Sequence, residues 1–402
     1  MPFTLNSGDT AWMLMSTALV LFMTPGLAFF YGGMVRSKNI LAMLMQNIFA
    51  MGILGVLWAV VVFSLAFGDA GNGGVIGNLD YAFMRHIGIG GSPESFFGFL
   101  TIPFILFCAY QMTFAIITPA LITGATADRL KFAGYATFIA VWLVLVYAPV
   151  AHMVFAGGTV VHINAGAAAL AVILGVGKRK GYPHEPMPPH NLPFTVLGTG
   201  ILWFGWAGFN AGSALAANGA AAQALINTLL APSAAMLGWL LVERLRNGHA
   251  TTLGAASGAV AGMVAITPCA GFVGGMAPIY IGLATGALCY TALGIKSKLG
   301  FDDSLDVIAV HLVGGLFGSI VLGLFADPAV NAAVTHPGLL ITGGGSALIV
   351  DQVVASAVTL VYAFVVSFGL AKVIEATIGL RASDEQQDRG LDITLHAETA
   401  YN

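Results

Sequence analysis

Two histidines, His162 and His311, stand inside apolar runs. His162 lies in "VVHINAG" (160–166) and His311 in "AVHLVGG" (309–315), each between two apolar residues and four positions before a glycine. A lone buried histidine is most often a packed, hydrogen-bonded side chain. Two in matching surroundings point instead to a lined path, because ionisable groups within membrane segments mark cavities and pathways. Apolar burial disfavours the charged ring, and a neutral imidazole offers one donor and one acceptor. Facing each other, the rings would suit a small uncharged polar molecule, or a proton relay, better than a hydrated cation.

Aromatic and hydroxyl side chains form a second set. "YQMTFAIITPALI" holds Tyr110 and Phe114 one helical turn apart, and "WFGWAGFNAGSA" holds Phe209, Asn210 and Ser213. Aromatic faces beside a hydroxyl acceptor can hold a small cation without a full counter-charge, since cation–π attraction contributes about 0.5–2 kcal/mol. For any one of these rings, ordinary helix packing is the simpler account. Acids are few: Asp302, Asp303 and Asp306 in "GFDDSLDVIAVH" precede a span, where the helix dipole favours carboxylates. Asp303 lies eight residues before His311, whereas eight before His162 stands Val154. His86, His184, His190, His249, His336 and His396 fit loops or the tail, and His152 the end of a span. The apolar surroundings of Cys108, Cys269 and Cys289 suggest packing. No nucleophile–base pair, metal cluster or phosphate loop appears, so the sequence argues against an enzyme and implies no cofactor.

The elements that must position these residues follow from composition. Hydrophobic residues make up 58% and charged residues 8% of the 402, against about 25% charged in soluble domains. The chain reads as an all-α polytopic membrane protein with eleven transmembrane helices, at about 11–33, 40–67, 96–123, 131–154, 156–177, 194–213, 220–243, 251–268, 271–294, 307–325 and 346–379. Of its 15 basic residues, all but Arg85 fall on one side when alternate loops are scored. That asymmetry places the N-terminus outside and the C-terminus in the cytoplasm. His162 and His311 fall in the fifth and tenth spans, so two five-helix halves run in opposite senses, as inverted repeats do. A transmembrane domain, 1–379, then divides into a first repeat (about 11–177), a second (about 194–325) and a long last helix (about 346–379). The polar segment 380–402, "RASDEQQDRGLDITLHAETAYN" from 381, reads by composition alone as a disordered end.

"TPGLAFFYGGMVRSKN" (24–39), "AGGTVVHINAG" (156–166), "PHNLP" (189–193), "GFNAGSA" (208–214), "DVIAVHLVGG" (306–315) and "GLDITLHAETAY" (390–401) together resemble the bacterial-type ammonium transporter (Amt) family, across nearly the whole chain. The resemblance implies homotrimers with one narrow pore per subunit in the cytoplasmic membrane. It casts His162 and His311 as the pore histidines, Phe114 and Phe209 as a stacked phenylalanine gate, and Ser213, with Tyr110 and Phe155 near it, as the outer ammonium recruitment site. Asp303 is cast as a structural or relay acid. Ammonium would be bound outside, lose its proton and cross as ammonia. The tail would be a regulatory segment meeting PII-type signal proteins, with Ala397 in "HAE" replacing the family's usual glycine. An ammonium sensor with little flux, acting through the tail, and Rh-like passive ammonia conduction are the alternative readings.

One departure stands out. Family members carry a loop of about a dozen residues between "AHMV" and "FAGG", beginning with a tryptophan and ending with an aspartate. Here the two motifs abut, so Phe155 stands for only one aromatic and both other residues are missing. The turn is expected around Phe155–Gly158, with Gly157 and Gly158 supplying positive φ and the fifth span starting near Thr159.

Overall fold

The computed structural model describes residues 4–71, 74–92, 98 and 100–401. Each of the eleven expected segments is a helix: α1 (Ser7–Met34), α2 (Ser37–Phe67), α3 (Phe104–Thr126), α4 (Phe132–Met153), α5 (Gly158–Val176), α6 (Leu192–Ala214), α7 (Gly219–Asn247), α8 (Thr252–Ile266), α9 (Ala277–Leu299), α10 (Ile308–Phe325) and α11 (Ala347–Thr377). Ten are long and apolar enough to cross a membrane; α8, at 15 residues, is shorter. No β-strand occurs among the described residues. A helix satisfies its own backbone polar groups, which is why apolar runs of this length take that form.

Two boundaries differ from expectation. α3 starts at Phe104, because Pro103 sits at its N-cap and cannot donate to a preceding turn; part of the expected start, 96–97 and 99, lies outside the described residues. α9 starts at Ala277, after a turn in which Gly275 takes φ +58°, and Pro278 occupies its first turn.

α1 packs along α6, α7 along α8 and α9, and α5 along α11, while α5 and α10 cross at the centre. The crossing explains a repeated glycine. A Cβ on Gly166 would lie 2.6 Å from the Cβ of Leu312, and one on Gly315 would lie 2.9 Å from the Cβ of His162. The glycine four residues beyond each histidine thus admits the other helix beside its own histidine. α5 and α10 also both open with a π-helical turn that contains the histidine, Gly158–Ile163 and Ile308–Val313. Such widened turns are rare and concentrate at functional sites.

The tail overturns the reading from composition. It folds into α12 (Asp384–Arg389) and α13 (Leu391–His396) and docks on the helices. Ser383 and Gln386 form a reciprocal capping box on α12. The Asp392 carboxylate accepts the backbone N–H groups of Leu41 (3.0 Å) and Ala42 (2.8 Å), and Leu391 packs with Ala42 and Ala382. Ala397 holds φ +55°, a conformation that glycine adopts without strain.

Candidate functional site

His162 and His311 meet where α5 and α10 cross. Both are buried, and their Nδ1 atoms lie 3.3 Å apart, so one ring donates and the other accepts. The rings lie nearly parallel, 24° apart with centroids at 5.4 Å. The other face of the stack is aromatic: His162 is 5.6 Å from Trp206 and 6.0 Å from Phe209, at 18° and 15°. The His162 Nε2 is buried and forms no hydrogen bond. Beside the pair is a cavity of about 10 Å³ walled by Leu27, Phe30, Ile117 and Leu121, close to the size of one water molecule. Trp206 escaped sequence reasoning, although it lies three residues before Phe209; its indole N–H donates to Thr267 Oγ1 at 2.9 Å, which fixes the plane on which His162 stacks.

Phe114 and Phe209 meet beside the histidine pair. Their centroids lie 4.6 Å apart at 65°, so the rings meet edge to face and not stacked as the family resemblance implies. Edge-to-face contact sets one ring's positive edge on the other's negative face. Tyr110 packs edge-on against Phe114 at 4.9 Å. Its hydroxyl reaches the carbonyls of Gly208 and Phe209, both at 2.9 Å, so α3 and α6 are joined at the rings. Ser213 is exposed, donates to the Phe209 carbonyl at 2.7 Å, and lies 3.3 Å from the Tyr110 hydroxyl.

Above these rings opens a vestibule of about 400 Å³ that includes Phe155, Ser213, Thr267 and His336. No Asp, Glu, Lys or Arg is among the described residues lining it. It opens among the α4–α5, α6–α7, α8–α9 and α10–α11 connections, opposite the connections that carry the basic residues. Phe155 is 49% exposed and stands edge-on to Phe67 at 5.2 Å. The α4–α5 connection is closed in four residues, Val154 to Gly157, with the Ala156 N–H donating to the Val154 carbonyl at 2.9 Å. Gly157 is not in the left-handed region, with φ −58°, and Gly158 lies inside the π-helical turn. What these glycines supply is close approach: a Cβ on Gly157 would lie 2.8 Å from Thr267, and one on Gly158 would lie 3.0 Å from Pro268. His152, placed by sequence at a span end, bonds the Ala66 carbonyl at 3.1 Å.

Asp303 sits on the opposite side, at the start of α10. Its carboxylate accepts the backbone N–H groups of Val307 (3.1 Å) and Ile308 (2.7 Å), capping the helix that carries His311. Burial, and then the charge of Asp306, push its pKa up to about 7. Neighbouring Asp302 goes the other way. Burial opposes its ionisation, but hydrogen bonds and charge from Arg179, with the charge of Arg129, hold its pKa below the usual carboxylate range. Arg129, fully buried, reaches Asp302 Oδ2 at 2.5 Å, and Arg179 contacts both oxygens at 2.8–2.9 Å. This ionic cluster also escaped sequence reasoning, since its members come from three connections far apart in the chain.

A family model described as Ammonium Transporter Family matches residues 11–401. The chain belongs to the ammonium transporter family. This member is 48% identical over 447 residues to an ammonium transporter of Mycobacterium tuberculosis (strain H37Rv), with 99% of this chain and 91% of that protein covered. It is 44% identical over 411 residues to the ammonium transporter of Bacillus subtilis (strain 168), with 99% of each covered. Both alignments exceed the 402 residues present here and so open gaps on this chain's side, which accords with the short α4–α5 connection. Its structure resembles Saccharomyces cerevisiae Mep2, with a TM-score of 0.86, 32% identity, and 95% of this chain and 89% of that one covered. It also resembles a protein named "Sensor Amt Protein", with a TM-score of 0.87, 27% identity, and 98% of each chain covered. The protein is a multi-pass membrane protein of a transporter family, not an enzyme.

Proposed function

We propose that this ammonium transporter binds NH₄⁺ in the vestibule, where at the phenylalanine pair its proton passes to vestibule water, and conducts NH₃ along the His162–His311 pair. The observation that carries the reading is a buried histidine pair in a passage close to one water molecule in size, beneath an aromatic mouth with no Asp, Glu, Lys or Arg among the described residues lining it. A cation entering so narrow an apolar space loses its hydration with no counter-charge to replace it, a cost of many kcal/mol. Neutral ammonia escapes that cost and can form a hydrogen bond with the unpaired Nε2 of His162. Phe114, Phe209 and Phe155 supply aromatic faces for the cation and Ser213 an oxygen, with Tyr110 holding the rings in register. Asp303 acts as the structural acid that orients the His311 turn.

In the membrane this reading has the N-terminus outside and the tail in the cytoplasm, with the vestibule facing out. The distribution of basic residues supports that orientation. It keeps the inverted five-helix repeats, with segment 380–402 as a regulatory unit. The homotrimer, the PII-type partner and the cytoplasmic membrane come from the family resemblance. The sensor reading gains support from the absence of a carboxylate in the vestibule and from the likeness to the sensor Amt protein.

An ammonium pulse on proteoliposomes, with current and internal pH recorded together, tests the proposal. The native chain is expected to alkalinise the lumen, and His162→Ala with His311→Ala to change that response. Unchanged uptake and current in the double variant would remove the histidine mechanism, and a silent native chain would favour the sensor.

A further inference from the structure

The docked tail closes another cavity, on the side of the molecule away from the vestibule. It measures about 200 Å³ and lies between the start of α2 (Ser37 and Lys38), the α12–α13 turn (Arg389, Asp392 and Ile393) and the stretch 398–401. Neither wall makes it alone, so the cavity exists only while the tail lies on α2. Tyr401 holds its far edge. The Nδ1 of His190 donates to the Val35 carbonyl at 2.8 Å, which leaves Nε2 to accept the Tyr401 hydroxyl at 3.0 Å.

The charges in this lining balance: Lys38 and Arg389 are positive, Asp392 and Glu398 negative. Their engagements differ. The Asp392 carboxylate is taken up by the backbone N–H groups of Leu41 and Ala42. Lys38 gives one N–H to the Asp388 carbonyl at 2.6 Å and keeps two. Arg389 reaches Glu385 at 3.7 Å, with both side chains mostly exposed, a contact that contributes little. Glu398 is exposed and forms no ion pair among the described residues. Two cations therefore stand beside one free carboxylate in a space of no net charge. A bare anion would gain the cations but meet Glu398, and a bare amine would meet the reverse. We propose that this seam binds a free α-amino acid, its carboxylate at Lys38 and Arg389 and its ammonium at Glu398. The Ser37 and Thr399 hydroxyls can meet a polar side chain, and Ile393, 40% exposed, an apolar one. A cavity of about 200 Å³ suits a molecule of that size, below the roughly 300–1,000 Å³ of sites for drug-sized ligands. Because the ligand touches both walls, it stabilises the docked tail. The site does not depend on the ammonium path proposed above.

The test uses the purified full chain in two measurements: equilibrium dialysis, which gives the Kd, and tryptic cleavage after Arg389, which reads release of the tail. L-alanine, L-glutamine and L-leucine are compared with N-acetyl-L-glutamine, which lacks the ammonium, L-glutamine α-amide, which lacks the carboxylate, and inorganic phosphate. An amino acid at about a hundred times its Kd should slow cleavage by about 100-fold, since only the docked form binds it. Glu398→Gln should weaken binding of the amino acid about tenfold or more, narrow its advantage over N-acetyl-L-glutamine, and leave cleavage without ligand at the native rate. Failure of all three amino acids to bind overturns the assignment. Phosphate or N-acetyl-L-glutamine protecting the native chain as well as L-glutamine does so too, because the seam is then a plain anion site. So does an affinity that Glu398→Gln leaves unchanged. Ammonium conduction enters none of these outcomes.

Discussion

The buried cluster around Asp302 sits at the N-terminal end of the helix that carries His311, and replacing Asp302 by asparagine tests its weight. The carboxylate accepts one bond from Arg129 (2.5 Å) and three from Arg179, through Nε (2.9 Å), Nη2 (2.8 Å) and the backbone N–H (2.8 Å). Asparagine keeps one acceptor oxygen and turns an NH₂ group toward two guanidinium groups. Both arginines then stay buried with their main counter-charge gone. Breaking a buried pair in this way costs about 3–5 kcal/mol, because the surviving charge keeps its desolvation penalty. At roughly 2 °C per kcal/mol for a chain of this size, thermal unfolding in detergent should fall by about 6–10 °C. Lys180→Ala, which removes an exposed bridge to Asp388, serves as the comparison and should leave the midpoint unchanged. Removing Asp302, Arg129 and Arg179 together for apolar residues of similar volume should recover much of the loss, since no charge is then stranded. If Asp302→Asn and Lys180→Ala behave alike, the cluster is not what holds this end of the bundle.

The two adjacent acids should respond to pH in opposite directions. Asp302, whose pKa is depressed on folding, contributes stability that is present above about pH 4 and lost as the pH falls below it. Asp303, raised to about 7, contributes stability that is full below about pH 4 and lost as the pH rises through 7. Melting curves between pH 5 and 8 should therefore decline toward alkaline pH and flatten in Asp303→Asn; an unchanged slope in that variant refutes the assignment. In the tail, Asp392→Ala removes two bonds to the start of α2, at a cost of about 1–3 kcal/mol, and should speed tryptic cleavage at Arg389. Ala397→Gly relieves the left-handed strain, about 1 kcal/mol, and should slow it; cleavage moving the same way in both variants contradicts the docking described.

Much of this molecule was legible in the sequence because the deciding forces were local. An apolar run long enough to span a bilayer has to satisfy its own backbone, so all eleven helical segments could be placed from hydropathy. The echo between "VVHINAG" and "AVHLVGG" pointed to two histidines and two glycines whose close contact the fold then displays. Errors arose where distance in space mattered. The tail looked solvated because Asp392 has no visible partner within its own segment; its partners are the N–H groups of Leu41 and Ala42, some 350 residues away.

By itself, then, the sequence determined the class, the helices and the residues that face one another at the crossing, since each depends on composition or on short spacing. Tertiary structure alone decided how the rings meet, what Gly157 and Gly158 are for, which charges pair around Asp302, and that the mouth is wide and, among the described residues, lined by no carboxylate, lysine or arginine. Each of those depends on separations between helices, and such separations are set by packing among side chains from the whole chain.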